Sequence, residues 1–518
     1  MDEEIELKLA VAPEHVERFR RHPILRALKE RPAQITRLVS TYYDTPHFEL
    51  RHKAVALRVR KIGHARIQTI KRQLAGGKSR LSRQEWERNI KGDRPDLSLL
   101  EDPELRRLIS PHSAKGKLAP VFVTDVKRQT WPIRIGTSQI ECALDVGEIT
   151  ANGKRTPVCE VELELKSGRP ARLFELARRL NAAVPLRIEP TSKAERGYSL
   201  VLGAEPAPRK AVTVKLDAAM SVREALAEIT RACIAHIVGN VDCAHAGKDP
   251  EGVHQLRVGL RRLRAAFSVF GDAIPERERR ALTGELRWLQ QELGPAREWD
   301  VFIDETLKAM AKRVPDAEAL KPLNAAAEAA RARAYVRARR ALGNRRYTDL
   351  LLQLEAWIDG GRWPAARGGK PENGKPAADL LEQPVLSFSA DVLGAAHARL
   401  VKLGARHRKL DEGEFHKLRI RVKKQRYAIE FFRNLYTDKT ARRYIAALKA
   451  LQDVLGTAHD ALVGRALIPE LEANAAGTAD RAIGQVEGWC HAVLRHDRKR
   501  LHGLWQNFAK LKPFWKPA

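Results

Sequence analysis

The sequence predicts an α+β multidomain protein, an N-terminal antiparallel β-barrel followed by an all-helical region built from a repeat. Up to about residue 200, apolar residues recur at every second position, the period of a strand with one buried face. From about residue 215 they recur every third or fourth position, in long Ala/Leu/Arg/Glu stretches with few β-branched runs. Within that second region VHQLRVGLRRLRAAFSVF (253–270) matches FHKLRIRVKKQRYAIEFF (415–432), and LQQELGPARE (289–298) matches LQDVLGTAHD (451–460), both pairs 162 residues apart. A shared offset of that kind marks a duplicated unit.

Eight alternating segments supply the strands: EEIELKLAV, RLVSTYYDT, AVALRVRKI, RIQTIKRQL, RQEWERNI, FVTDVKRQTWPI, IECALDVGEIT and CEVELELKSG. Alternate side chains of a strand share a face, so Glu4, Glu6 and Lys8 point one way and Ile5, Leu7 and Leu9 the other. The same rule groups Arg58 with Arg60, Glu85 with Glu87, and Glu160 with Glu162 and Glu164. So many strands need closure to avoid long open edges. An eight-stranded barrel with its apolar face covered by flanking helices turns the charged face inward, as a wet tunnel. The barrel domain is expected over 1–203 and a Pro-containing linker over 204–214 (LGAEPAPRKAVTV spans it). The helical domain follows over 215–518, as two repeats at about 217–358 and 380–511 joined by a Gly/Pro-rich flexible loop at 360–379. Each repeat is expected to be a small antiparallel bundle.

Charge narrows the partner. Lys and Arg number 94 against 64 Asp and Glu in 518 residues, a formal net charge of +30, and both halves are basic. That balance seeks a polyanion. The acidic, alternating first residues do not read as a secretory leader, and no apolar run approaches membrane-spanning length, so a soluble cytoplasmic protein without a membrane partner is expected. Five scattered cysteines (Cys142, Cys159, Cys233, Cys243, Cys490) read as reduced core thiols. AGGKS (75–79) is not a phosphate-binding loop, because Arg72 stands where its first glycine belongs. Nucleic acid is disfavoured: aromatics are 6% of the chain and none interleaves with the basic helical stripes before Phe267 and Tyr427.

Paired carboxylates on the tunnel face offer hard oxygen ligands for Mg²⁺ or Mn²⁺, and neighbouring Arg and Lys neutralise phosphate oxygens. Together they suit a polyphosphate chain. EIELK (Glu4, Glu6, Lys8) resembles the ExExK signature of the CYTH superfamily, the triphosphate tunnel metalloenzymes. The resemblance extends over about 1–202 through YYDT (42–45), LRVR (57–60), TIK (69–71), RQEWE (83–87), VKRQTW (126–131), ALDVGEI (143–149), CEVELELKSG (159–168) and SKAERGY (192–198). It implies that Glu4 and Glu6 bind metal with one or both of Glu160 and Glu162. It also implies that Lys8, Arg58, Arg60, Lys71, Arg128 and Lys193 grip the phosphates, while Glu85 and Asp145 orient those bases or a water-activating metal.

In the helical half, His254, Arg257, Arg261 and Arg264 lie on one face of a helix, with Leu256, Leu260, Leu263 and Phe267 on another. The second copy repeats the stripe as His416, Arg419, Lys423 and Arg426, with Gln425 breaking its apolar face. This half resembles the CHAD domain, the conserved histidine α-helical domain, over about 217–511. The resemblance implies a pair of four-helix bundles related by pseudo-two-fold symmetry, with a basic groove that binds inorganic polyphosphate through those eight residues. Arg262 and Lys424 are expected to flank the groove, and Arg297 is replaced by His459 in the second copy.

The expected activity is metal-dependent hydrolysis of inorganic tripolyphosphate in the tunnel. The helical domain is expected to bind polyphosphate and to associate the protein with polyphosphate granules. The alternatives are a non-catalytic polyphosphate scaffold and an enzyme for an organic triphosphate such as thiamine triphosphate or ATP.

Overall fold

The computed structural model describes residues 4–72, 82–100, 102–103, 106–107, 109, 118–313, 318–359, 377–436, 439–475 and 480–515. The chain divides into two compact units, Met1–Pro206 with Gly343–Arg362, and Ala207–Leu342 with Trp363–Ala518. Most of the expected 360–379 loop lies outside the described residues.

The first unit is a nine-stranded antiparallel sheet: β1 (Glu4–Val11), β2 (Gln34–Asp44), β3 (Val55–Ile62), β4 (Ala65–Arg72), β5 (Ser82–Asn89), β6 (Ala119–Ile135), β7 (Ser138–Ala151), β8 (Lys154–Ser167) and β9 (Leu186–Ile188). The order is β5-β4-β3-β2-β6-β7-β8-β1-β9, and β5 also pairs with β1 through Glu4↔Arg83 and Ile5↔Ser82, which closes the ring. The eight alternating segments are all strands; the short β9, with three residues, is too brief to show a period. The β7–β8 hairpin turns on Asn152 (φ 50°) and Gly153 (φ 74°), the Asn-Gly pair that favours positive φ at both central positions.

Burial follows the alternation. Leu7, Leu9 and Val11 are buried while Glu6, Lys8 and Ala10 are half-buried. Two helices matter for the site, α1 (Ala171–Ala183) and α2 (Lys193–Leu202). In α2, SKAE is a capping box: Ser192 Oγ accepts from Glu195 N (3.2 Å), and Ser192 N donates to Glu195 Oε2 (2.8 Å). Gly197 then lets α2 lie flat on Phe122, since a Cβ there would sit 2.2 Å from the ring.

The second unit is helical: α3 (Val222–Val238), α4 (Pro250–Val269), α5 (Glu276–Glu292), α6 (Gly294–Val301) and α7 (Lys321–Leu342) belong to the first copy. The helix α8 (Arg345–Asp359), expected to complete that copy, instead packs in the first unit. Arg178 Nε bonds Asp349 (2.7 Å), Asn181 Nδ2 donates to the Arg345 carbonyl (3.1 Å), and Thr348 Oγ1 donates to the Leu186 carbonyl (2.6 Å). Its apolar period announces an amphipathic helix but not which surface receives it. The second copy contributes α9 (Val385–Gly404), α10 (Glu412–Phe432), α11 (Lys439–Ala475) and α12 (Asp480–Ala509). The duplicated helices start alike, with Asp249 capping Glu251 N (2.8 Å) in α4 and Asp411 capping Glu414 N (2.7 Å) in α10. Four cysteines are buried thiols; Cys159 is only half-buried, a correction to the reading of all five as core residues. No helix among the described residues is long and apolar enough to cross a membrane.

Candidate active site and anion-binding stripes

The strand register sorts the tunnel side chains into rows. Lys8 stands opposite Glu162, and Ala10 opposite Glu160; Glu160 in turn faces Asp145, which faces Arg128. A third row joins Glu6, Glu164 and Glu141 across β1, β8 and β7. Lys8, Glu162, Arg128, Glu6, Glu164 and Glu141 of these rows help to line a cavity of about 640 Å³ whose wall carries nine Lys and Arg (Lys8, Arg51, Arg58, Arg60, Lys71, Arg72, Arg128, Lys166, Lys193) and seven Glu (Glu6, Glu85, Glu87, Glu141, Glu162, Glu164, Glu195). The charged face of the barrel is therefore its inner face.

Lys193, the first residue of α2, projects its ammonium among three carboxylates: Asp145 at 2.7 Å, Glu162 at 2.9 Å, and Glu160. Arg128 forks onto Asp145 with two 2.7 Å bonds and also reaches Glu162. Lys8 lies 3.2 Å from Glu6 and 3.3 Å from Glu162. On the opposite side Lys71 pairs with Glu85 (2.7 Å). Arg58 reaches Glu85 (3.6 Å), Glu87 (3.9 Å) and the Tyr42 hydroxyl (3.4 Å), while Arg60 Nε donates to Ser40 Oγ (3.3 Å). Carboxylate oxygens of Asp145, Glu160 and Glu162 come within 4.8 Å of one another, the hard-oxygen set that a divalent cation takes, although Lys193 and Arg128 hold the same oxygens.

In the second unit the two stripes face each other. Arg261 Nε lies 3.4 Å from the Tyr427 hydroxyl, and the fields of Arg257, Arg261, Arg419 and Lys423 act on one another. The repeat extends to side-chain detail: Arg264 donates to Gln290 Oε1, and Arg426 to Gln452 Oε1 (2.8 Å). Arg257, Arg264 and Arg287 line a further pocket of about 370 Å³ with Gln290 and Glu298. His254 Nδ1, Arg257 Nε and Arg419 Nε are buried without a hydrogen-bond partner among the described residues.

Residues 2–198 match the family model of the CYTH domain and residues 228–469 that of the CHAD domain. The solved CHAD domain from the plant Ricinus communis aligns at 34% identity with a TM-score of 0.51, over 59% of this chain and 98% of that one. The chain carries a CYTH domain followed by a CHAD domain. A curated relative, the inorganic triphosphatase of Haemophilus influenzae, is 32% identical over 206 residues, 39% of this chain. The chain spans only 55% of that relative's length. PptA from Streptomyces chartreusis aligns at 18% identity and TM-score 0.43, over 55% of this chain and 100% of that one, too distant to carry an argument.

The CYTH tunnel sets its own protonation states. Burial alone would push the Glu162 carboxyl up, but Lys193, Arg128 and Lys8 hold it well below the usual carboxylate range. Burial dominates at Glu160, whose carboxyl is pushed up despite Lys193. Arg60 is pulled down to about 10 by burial and by repulsion from Arg58 and Arg128. Tyr42 is held below its ordinary value: burial opposes this, and Arg58, Arg60 and Lys193 outweigh it.

Of the residues singled out by sequence, Glu6, Lys8, Arg58, Arg60, Lys71, Glu85, Arg128, Glu162 and Lys193 line the tunnel. Asp145 and Glu160 are fully buried behind its wall, where Asp145 holds Arg128 and Lys193, and Glu160 holds Lys193 and Arg196 (3.3 Å). The side chain of Glu4 lies outside the described residues. Sequence reasoning missed Glu141 and Lys166 and gave Glu164 no role beyond the face it shares with Glu160 and Glu162; the signal was there, since 141, 143 and 145 share one face of β7, as 160, 162, 164 and 166 share one face of β8.

In the CHAD domain, burial and repulsion from neighbouring cations push His254, Arg257, Arg264, His416, Arg419 and Lys423 toward neutrality. Lys423 falls to about 6, Arg257 to about 10 and His254 to about 4, in each case through burial first and neighbouring cations second. His459, ring to ring with His416 at 5.3 Å, falls to about 3 for the same reasons. Arg262 corrects the expectation of a groove-flanking residue. It is buried, pairs with Glu430 (3.0 Å) and lies over the Phe431 ring (5.5 Å), so it joins α4 to α10. Lys424 likewise donates across that joint, to Ser268 Oγ (3.1 Å). Gln425, the break in the apolar stripe, is fully buried with Nε2 3.4 Å from the Leu393 carbonyl and from the Tyr444 hydroxyl.

Proposed function

We propose that the CYTH domain hydrolyses inorganic tripolyphosphate to diphosphate and phosphate with a divalent metal, and that the CHAD domain holds inorganic polyphosphate. The observation that carries the first part is the tunnel wall, in which Arg and Lys from five strands and α2 converge on one cavity alongside acceptor-only carboxylates. A triphosphate chain needs that mixture, cations for its oxygens and hard oxygen ligands for its metal. The curated relative is named for the same activity.

Glu6 and Glu162 reach the cavity and would hold Mg²⁺ or Mn²⁺, with Glu160 behind and with Glu4, which the ExExK resemblance adds to the set. When bound, the ion supplies Lewis-acid neutralisation of phosphate oxygens. Arg58, Arg60 and Lys71 grip one side of the chain, and Lys8, Arg128 and Lys193 the other. Asp145 and Glu85 keep those bases extended toward the substrate. Water attacks the terminal phosphorus in line, the bridging P–O bond breaks, and diphosphate leaves with its charge held by the arginines. The proton lost by water passes to a wall carboxylate or to solvent.

The CHAD stripes neutralise a longer chain, whose negative charge would restore the proton that Lys423 loses in its absence. The fusion thereby places the enzyme on polyphosphate and, in the cytoplasm, on its granules. Phosphate release from tripolyphosphate, thiamine triphosphate and ATP by the same preparation tests the substrate. Release from the organic triphosphates alone would replace this reading.

A further inference from the structure

We propose a second phosphate-chain site in the CHAD domain, on the outer face of α12 and apart from the paired stripes. A cavity of about 720 Å³ is lined there by Arg408, Arg465, Arg495, Arg498, Lys499 and His491, together with the His407–His502 pair. Three features of its wall point to an anion.

The first is charge without counter-charge. Glu412 is the one carboxylate on the wall among the described residues, 3.9 Å from Arg465. Arg495, Arg498 and Lys499 are exposed and form no ion pair among the described residues. The nearby acid of the same helix, Asp497, is turned inward, where it is buried, accepts from Thr457 Oγ1 and lies 3.7 Å from Arg500. Like charges left together in this way repel, and a bound anion removes the repulsion.

The second feature is linear spacing. His491, Arg495, Arg498, Lys499 and His502 follow one face of α12 at three- and four-residue steps, a row about 16 Å long at 1.5 Å per residue. His407 stacks on His502 at 5.2 Å and Arg408 Nε lies 3.1 Å from its Nδ1, so the row continues onto a second segment.

The third decides between phosphate chain and nucleic acid. The only aromatic residue of the wall other than histidine among the described residues, Phe415, is 5% exposed and offers no face for a base to stack on. The cavity suits an unbranched chain of phosphates.

The test is binding of inorganic polyphosphate to the full-length protein across a NaCl series, comparing wild type with the Arg495→Gln/Arg498→Gln/Lys499→Gln variant. These exposed helical positions tolerate Gln, whose helix propensity is close to that of Arg and Lys, so melting should be unchanged. Loss of three phosphate contacts should lower the slope of log K against log salt by about 2. The same triple change, made on an Arg261→Gln/Arg419→Gln background, should weaken the binding that remains once the paired stripes are disabled. An unchanged slope in both backgrounds would overturn the site. So would single-stranded DNA of matched charge binding wild type as tightly and losing the same affinity in the variant, which would make this face a nucleic-acid surface. Neither outcome touches the tunnel, whose activity is measured separately.

Discussion

Replacing Lys193 by Met should strike the tunnel harder than removing any other single cation. Its ammonium sits within 2.9 Å of Asp145 and Glu162 and also holds Glu160, and all four residues are buried. Three carboxylates within 4.8 Å of one another would then share Arg128, Arg196 and, at Glu162, Lys8. Leaving a buried charge without its partner costs about 3–5 kcal/mol. The sign with pH follows from linkage. Without the lysine, the folded-state carboxyls titrate above their unfolded values, so the penalty is full at pH 8 and shrinks as acid neutralises them. Hydrogen exchange on peptides of β7 and β8 reads this locally, free of the second unit's unfolding. The variant should lose about 3 kcal/mol of protection there at pH 8 and less at pH 5.5. Protection equal to wild type at pH 8, or a loss that deepens on acidification, would refute the reasoning.

Gly197→Ala should lower the stability of the CYTH unit by about 1–3 kcal/mol, a melting shift of several degrees, because its Cβ would meet the Phe122 ring that stacks on Tyr42 at 4.4 Å. Polyphosphate binding at pH 8 should take up protons, since Lys423 titrates near 6 in the free protein and regains its charge beside an anion; calorimetry in buffers of different ionisation enthalpy detects this, and Lys423→Met should diminish it. Arg261→Gln should lower the salt slope of polyphosphate binding by about 0.7, whereas Arg262→Ala should destabilise the α4–α10 joint by about 2–3 kcal/mol and leave the slope unchanged, as salt titration and urea denaturation would show.

Much of this architecture was legible because strand and helix periods differ. Alternation placed all eight long strands and put Glu6, Lys8, Arg58 and Arg60 on the inner face, since closing the sheet leaves the apolar alternates to the covering helices. Asn152-Gly153 and the Ser192–Glu195 capping box were local signals that needed no tertiary knowledge. Depth was not legible. Glu160 and Glu162 share a strand face, yet one lies behind the wall and the other on it, because the α2 position that brings Lys193 and Arg196 to Glu160 is a packing outcome. Arg261 and Arg262 are adjacent and chemically identical, and only the approach of α10 makes one a stripe residue and the other a joint. The destination of α8 was hidden for the same reason, since an apolar stripe states that it will be covered but not by what.

Tripolyphosphate hydrolysis in the tunnel is tested by phosphate release from inorganic tripolyphosphate, with Mg²⁺ or Mn²⁺ and with chelator, by the full-length protein and its Glu6→Gln/Glu162→Gln variant. Release should require the metal and fall by at least about 100-fold in the variant, as expected when charge stabilisation in the transition state is lost. Release that persists in chelator or in the variant, or a folded protein that binds tripolyphosphate and never cleaves it, would contradict metal-dependent hydrolysis in the tunnel.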